Sequence, residues 1–185
     1  MAENYLAVID MQNDFVTGAL GTAEARGIAE AVVKKVQEFR GQVVFTLDTH
    51  GTDYLNTQEG NLLPVKHCVK GTEGWELIPE LEGFRREKGC QGFEKGTFGS
   101  LELAQFLEGK YRAGELGSVE LVGVCTDICV VSNALLLKAH MPELPVAVDA
   151  ACCAGVTPQR HRAALDTLES CQVLVKNRGD AGQGI

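Results

Sequence analysis

A cysteine, a carboxylate and a lysine can act together as a nucleophile group, and this sequence carries all three at the ends of strand-like runs. Cys129 lies three residues after Thr126, at the start of a stretch that reads as a buried helix. There the helix dipole and free backbone N–H groups favour a thiolate, so Cys129 is the first nucleophile candidate. Cys125, at the strand end itself, is the second. Asp10 closes the first strand-like run, and Lys95 follows a weaker one near Arg85–Phe93. An Asp at a strand end is more often a turn former, and a lone Cys more often a small buried hydrophobe. The set, rather than any member, points to chemistry. Cys68, Cys90, Cys152, Cys153 and Cys171 have no comparable placement and read as structural.

A second group has the look of metal ligands. Asp48 and His50 sit two apart at the end of the second run, and His67 follows in a long loop. Carboxylate and imidazole suit zinc, iron or manganese. On spacing alone, the same histidines could equally be solvated loop residues.

The elements that must position these residues follow from periodicity. Strand-like runs lie at Tyr5–Asp10, Gln42–Asp48, Val119–Val124, Pro145–Asp149 and Gln172–Lys176, with helix-like stretches between most of them. This alternation predicts a parallel sheet covered on both faces, and ligands of such sheets bind beyond the carboxyl ends of the strands. Asp10, Asp48, His50, Lys95, Cys125 and Cys129 all fall at that edge. Glu24–Arg40 places Ile28, Val32, Val36 and Phe39 on one apolar stripe, the pattern of a first crossover helix. Asp127–His140 is apolar almost all round and is expected to be buried on more than one side or at a subunit contact. Thr157–Ser170 reads as a helix capped by Thr157 with Pro158 at its first position. Thr49–Gly74 reads as long and irregular, as functional loops often are.

A chain of 185 residues with 45% apolar content suits one domain, 1–185. The net charge of -8 and the lack of a basic cluster argue against nucleic acid. No stretch is long and apolar enough for a membrane span, and the start is strand-like rather than a leader, so a cytosolic place is expected. Seven cysteines without a secretory signal read as thiols.

Five segments in order, AVIDMQNDFVTGALG, LDTH, PVKHCVKGTEGW, EKGTF and GVCTDICV, resemble the isochorismatase-like cysteine hydrolases, in particular the nicotinamidase branch, over nearly the whole chain. The resemblance implies a three-layer, Rossmann-like α/β fold with a mostly parallel sheet of about six strands and helices on both faces. It implies Asp10 as general base and acid, Lys95 as the cation between Asp10 and the thiol, and Cys129 as nucleophile of the TD-x-C-V segment. It also implies a cis peptide before Cys125 that aims the backbone N–H groups of Cys125 and Cys129 at one point as an oxyanion hole. Asp48, His50 and His67 match ligands of a divalent metal, zinc first, with iron or manganese as alternatives, that orients a pyridine nitrogen. The implied reaction is hydrolysis of a small amide, nicotinamide first, through a thioester. The resemblance and the apolar Asp127–His140 stretch together suggest a homodimer or homotetramer.

The chain departs from the nicotinamidase pattern in its substrate region. Tyr54 stands where another histidine is usual, and Pro64, Val65 and Lys66 precede His67 where a tryptophan–proline step often gives an aromatic wall. Glu59 could replace the missing ligand, Phe15 could line the pocket, and Trp75 and Tyr54 are further candidates for its walls. Alternatives are the same cysteine machinery acting on an N-carbamoyl or ureide substrate, and a binding or redox module that pairs Cys125 with Cys129. A vinyl ether such as isochorismate is disfavoured, because enzymes for it generally lack this cysteine.

Overall fold

The computed structural model describes residues 2–179. Six strands form one sheet in the order β3-β2-β1-β4-β5-β6, where β1 is Glu3–Ile9, β2 Gln42–Asp48, β3 Gly92–Lys95, β4 Leu116–Val124, β5 Val146–Ala154 and β6 Leu174–Lys176. Every neighbouring pair is parallel, so the sheet is wholly rather than mostly parallel. The chain leaves β1 toward one edge of the sheet and later returns to β4 on the other side of it. This strand order places the topological switch point, where open α/β sheets form a crevice, between the carboxyl ends of β1 and β4.

Both faces are buried, as a parallel sheet requires. The helices α2 (Ala23–Glu38) and α4 (Pro79–Lys88) cover one face, with Val32, Val36 and Leu81 packing on Leu6, Val8 and Phe45. Across the sheet, α5 (Leu101–Arg112), α6 (Val131–His140) and α7 (Pro158–Ser170) bring Leu103, Leu107, Leu137, Leu165 and Leu168 onto Ala7, Leu121 and Val148. Hydroxyl caps start three of these helices: Thr22, Ser100 and Thr157 accept from the N–H groups of Ala25, Leu103 and Arg160. Two short helices, α1 (Asn13–Val16) and α3 (Gln58–Leu62), belong to the site's loops.

Four expectations are corrected. The strand expected near Arg85–Phe93 is β3, Gly92–Lys95, while Arg85–Lys88 ends α4, where Glu82 pairs with Arg85 and Arg86 and Gly89 takes the left-handed conformation. The segment Thr49–Gly74 is not irregular throughout, because it holds a 3-10 turn at Tyr54–Asn56 and α3, which Thr57 caps. The Asp127–His140 helix begins as a π-wound turn, Thr126–Val130, before α6, within which Leu137 is buried and Leu135 and Leu136 half-buried. Finally, β5 runs on to Ala154 because its register against β4 shifts between Leu121 and Gly123, which a periodicity of two hides.

Candidate active site

Asp10 follows β1 with a φ of 48°, a conformation that non-glycine residues rarely hold and that clusters at functional sites. Thr46 of β2 fixes it from both ends. The Asp10 N–H donates to Thr46 Oγ1 at 3.2 Å, and the Thr46 hydroxyl donates to Asp10 Oδ1 at 2.6 Å. Beside it, Gly123 of β4 has φ 116°, and a Cβ there would lie 2.1 Å from the carbonyl oxygen of Ile9. Only glycine lets β4 approach β1 so closely at the switch point. The peptide bond between Val124 and Cys125 is cis, as the resemblance implies. The turn that follows folds over the Cys125 carbonyl, which accepts from the N–H groups of Ile128 and Val130. Asn133 then ties the turn to α5: its amide donates to the Cys129 carbonyl at 2.8 Å, and its Oδ1 accepts from Ser100 at 2.9 Å.

Lys95, at the end of β3, reaches into the centre of this group. Its Nζ lies 2.7 Å from Asp10 Oδ2, 3.3 Å from Asp48 Oδ1 and 3.5 Å from Cys129 Sγ. Asp10 is wholly buried, its Oδ1 held by the Thr46 hydroxyl and its Oδ2 paired with the Lys95 ammonium. Burial pushes the Cys129 thiol well above its ordinary pKa, and Asp10 adds to this while Lys95 opposes it. This opposes the thiolate that the helix start favours, since desolvation works against the dipole. Burial also raises Asp10, against the pull of Lys95. For Lys95 itself, burial works to lower the pKa, but Asp10, Cys129 and Asp48 together raise it, so the ammonium stays charged. The Cys125 thiol is pushed up to about 12 by burial and by Asp127, and all seven cysteines are unpaired.

Next to Lys95, the candidate ligands converge. Single donor atoms of Asp48, His50 and His67 all lie within 4.8 Å of one another. His50 Nε2 is 2.9 Å and His67 Nε2 3.5 Å from Asp48 Oδ2, while Glu59 Oε1 faces the same imidazoles at 3.9 and 3.8 Å. His67 Nδ1 donates to the Val65 carbonyl at 2.8 Å, which turns Nε2 toward the other three donors. Two imidazole nitrogens and two carboxylates aimed at one place are a donor set that fits a divalent cation. Burial would raise Asp48, but hydrogen bonds from His50 and His67 and the Lys95 charge hold it well below the usual carboxylate range.

A cavity of about 610 Å³ opens above both groups, lined by Phe15, Asp48, Glu59, His67, Cys125 and Cys129 among others. Phe15 stands 5.6 Å from the His67 ring, centroid to centroid. Neither Tyr54 nor Trp75 lines it. Tyr54 is buried behind the histidines, its ring 4.7 Å from that of His50 and 4.9 Å from that of His67, with its hydroxyl donating to the Leu63 carbonyl. Trp75 donates its indole N–H to Thr49 Oγ1, away from the cavity. Two buried residues were not foreseen. Thr46 is the polar break in the apolar strand QVVFTLD, a visible signal, and Gln12 lies in the quoted QNDF stretch. Gln12 holds Asp48 by accepting from its N–H at 2.7 Å and donating to its carbonyl at 2.8 Å.

The model of the Isochorismatase domain family matches residues 4–178. The chain belongs to the isochorismatase family. Within it, the isochorismatase family protein PncA of Bacillus subtilis strain 168 is 36% identical over 140 residues, 70% of this chain and 75% of the relative. The crystal structure of the nicotinamidase/pyrazinamidase PncA from Bacillus subtilis superposes with a TM-score of 0.82 at 30% identity, covering 95% of this chain and 100% of that one. A pyrazinamidase of Pyrococcus horikoshii, solved in complex with zinc, has a TM-score of 0.77 at 26% identity over 94% of this chain and 98% of its own. The isochorismatase fold expected from the five segments is thus the fold observed. Among the described residues, no helix is long and apolar enough to cross a membrane.

Proposed function

We propose that the protein is a cysteine amidohydrolase that cleaves a small amide, nicotinamide first, to the acid and ammonia. The observation that carries this reading is Lys95 Nζ set between Asp10 Oδ2, Asp48 Oδ1 and Cys129 Sγ at the floor of the cavity. The nicotinamidase/pyrazinamidase relatives support the substrate.

In this mechanism Asp10 takes the Cys129 proton as sulfur attacks the amide carbonyl. The backbone N–H groups of Cys125 and Cys129 receive the oxyanion. Asp10 returns the proton to the departing ammonia, and a thioester remains on Cys129. Asp10 then draws a proton from water, which cleaves the thioester and restores the thiol. Lys95 keeps Asp10 ionised against its burial and steadies negative charge as it moves from carboxylate to sulfur. Asp48, His50, His67 and Glu59 would hold a divalent cation, zinc first on the precedent of the Pyrococcus relative, with iron or manganese as alternatives. The chemistry such a cation supplies is Lewis-acid anchoring of a ring nitrogen. Phe15 would face the substrate ring, while Tyr54 and Trp75 act from behind, holding the histidines and Thr49.

A second substrate class, an N-carbamoyl or ureide compound, is favoured by one feature: the segment Pro64–Val65–Lys66 brings no aromatic wall to the cavity. Seven unpaired thiols fit a cytosolic setting. A homodimer or homotetramer fits the half-buried leucines of α6 and is checked by light scattering. The test of function is ammonia release from nicotinamide and from N-carbamoyl compounds by metal-replete protein, beside Cys129→Ala and a metal-stripped sample. Release that both controls abolish supports the proposal, and release that survives in Cys129→Ala contradicts it.

A further inference from the structure

Among the residues lining the cavity, one permanent cation besides the buried machinery stands out: Arg160, in the first turn of α7. The carboxylates that line the same cavity, Asp48 and Glu59, already face the two histidines. Arg160 forms no ion pair among the described residues, as is true also of Arg26, Arg40 and Arg162, but of these four it alone lines the cavity, whereas Arg85, Arg112 and Arg178 each hold a carboxylate. Its backbone is fixed all the same. The Arg160 N–H donates to the Thr157 hydroxyl, and the neighbouring Val156 N–H donates to Asp127 Oδ1 of the nucleophile turn, so this segment is anchored beside Cys125 and Cys129. The cavity walls are largely apolar, with Ile128, Leu63, Leu62 and Phe98, the last two 80% and 48% exposed. The cavity, at about 610 Å³, falls in the range that encloses drug-sized ligands and exceeds what one pyridine ring with a carboxamide fills.

We propose that Arg160 is a specificity residue forming an anion subsite at the cavity mouth, which selects amides bearing a carboxylate beyond an apolar body. A guanidinium left without a carboxylate at a ligand cavity is suited to bidentate capture of one. This deepens the amidohydrolase reading and rests on it for turnover, but not for binding. Because Arg160 is exposed, the preference is modest and shrinks with added salt.

The test uses benzamides carrying a carboxylate on a para chain of increasing length, each beside its uncharged alkyl counterpart. For the best-fitting pair, the account expects the carboxylate to be preferred at least fivefold in kcat/KM at low salt, mostly through KM. Arg160→Met removes that preference, and Arg160→Glu transfers it to the corresponding aminoalkyl benzamide, a gain that mere damage to the fold would not give. Calorimetric binding of the same pairs to Cys129→Ala, with and without Arg160→Met, reads the subsite without turnover. Carboxylate preference in binding without hydrolysis of any amide would sustain the subsite and sink the amidohydrolase reading. Hydrolysis or binding with equal preference for both members, or a preference that survives Arg160→Met, would overturn the subsite.

Discussion

Two lysines among the described residues are each held between two carboxylates, and they differ in what else the ammonium meets. Lys35 of α2 bridges Glu120 of β4 and Asp149 of β5 across the helix–sheet packing. There the remaining oxygens are also matched, Glu120 by Lys176 at 3.0 Å and Asp149 by Asn177 at 3.0 Å and the Ala151 N–H at 3.1 Å. Lys95 bridges Asp10 and Asp48, and a third group, the Cys129 thiol that lines the cavity, lies 3.5 Å from the same ammonium. The Lys35 side chain is 21% exposed and that of Lys95 2%. A charge cluster that joins only carboxylates and amides ties helix to sheet; one that also meets a thiol, deeper in the protein and against a cavity, has the groups that the proposed proton transfer requires.

The comparison can be broken most forcefully at the nucleophile. Cys129→Ala is expected to lower turnover by at least about 10³-fold, since the covalent route is lost, while thermal melting changes little. A residual rate within tenfold of wild type would remove Cys129 from the mechanism. The next largest effect belongs to the other cluster. Asp149→Asn should destabilise by about 3 kcal/mol in urea unfolding, because it leaves Lys35 short of a partner, yet keep turnover within about threefold. The pH dependence follows in sign. Burial tends to raise Asp149, but Lys35 and Asn177 lower it further, so its folded pKa lies below the unfolded value near 4. Its stabilisation is present above that value and is lost as pH falls through the lower, folded one, so wild type should weaken toward acid more steeply than Asp149→Asn.

Lys95→Met should cost about 100-fold in turnover but only about 1–2 kcal/mol in stability, because Asp10, already raised by burial, can take a proton in place of the lost counter-charge. A stability loss as large as that of Asp149→Asn with little loss of rate would make the two clusters alike. Thr46→Val, which removes the hydroxyl that holds Asp10 Oδ1, should have the smallest effect, about tenfold in kcat with KM nearly unchanged, read by steady-state kinetics.

The reacting edge was legible because strands reveal their carboxyl ends: Asp10, Asp48 and the Cys125–Cys129 segment each follow an apolar run that periodicity finds. Less was legible where a short or bent element carries the residue. The strand β3 has four residues, two of them buried, and the signal around it was that of the preceding helix. The extension of β5 depends on a register shift, and the π-wound turn on backbone bonds to Cys125, neither of which leaves a residue pattern. Tyr54 reads as a pocket residue because it stands where the resembled enzymes usually have a histidine, but its phenol is instead packed against the rings of His50 and His67. The upward push on the Cys129 thiol comes first from burial, which sequence near a helix start does not disclose.

The most direct test of the central claim is rapid-quench mass spectrometry of metal-replete protein mixed with nicotinamide. The account predicts an acyl group on the Cys129 peptide that forms and decays within turnover, and none on Cys125. Turnover with no acyl group on Cys129, or with the acyl group on Cys125, would contradict it.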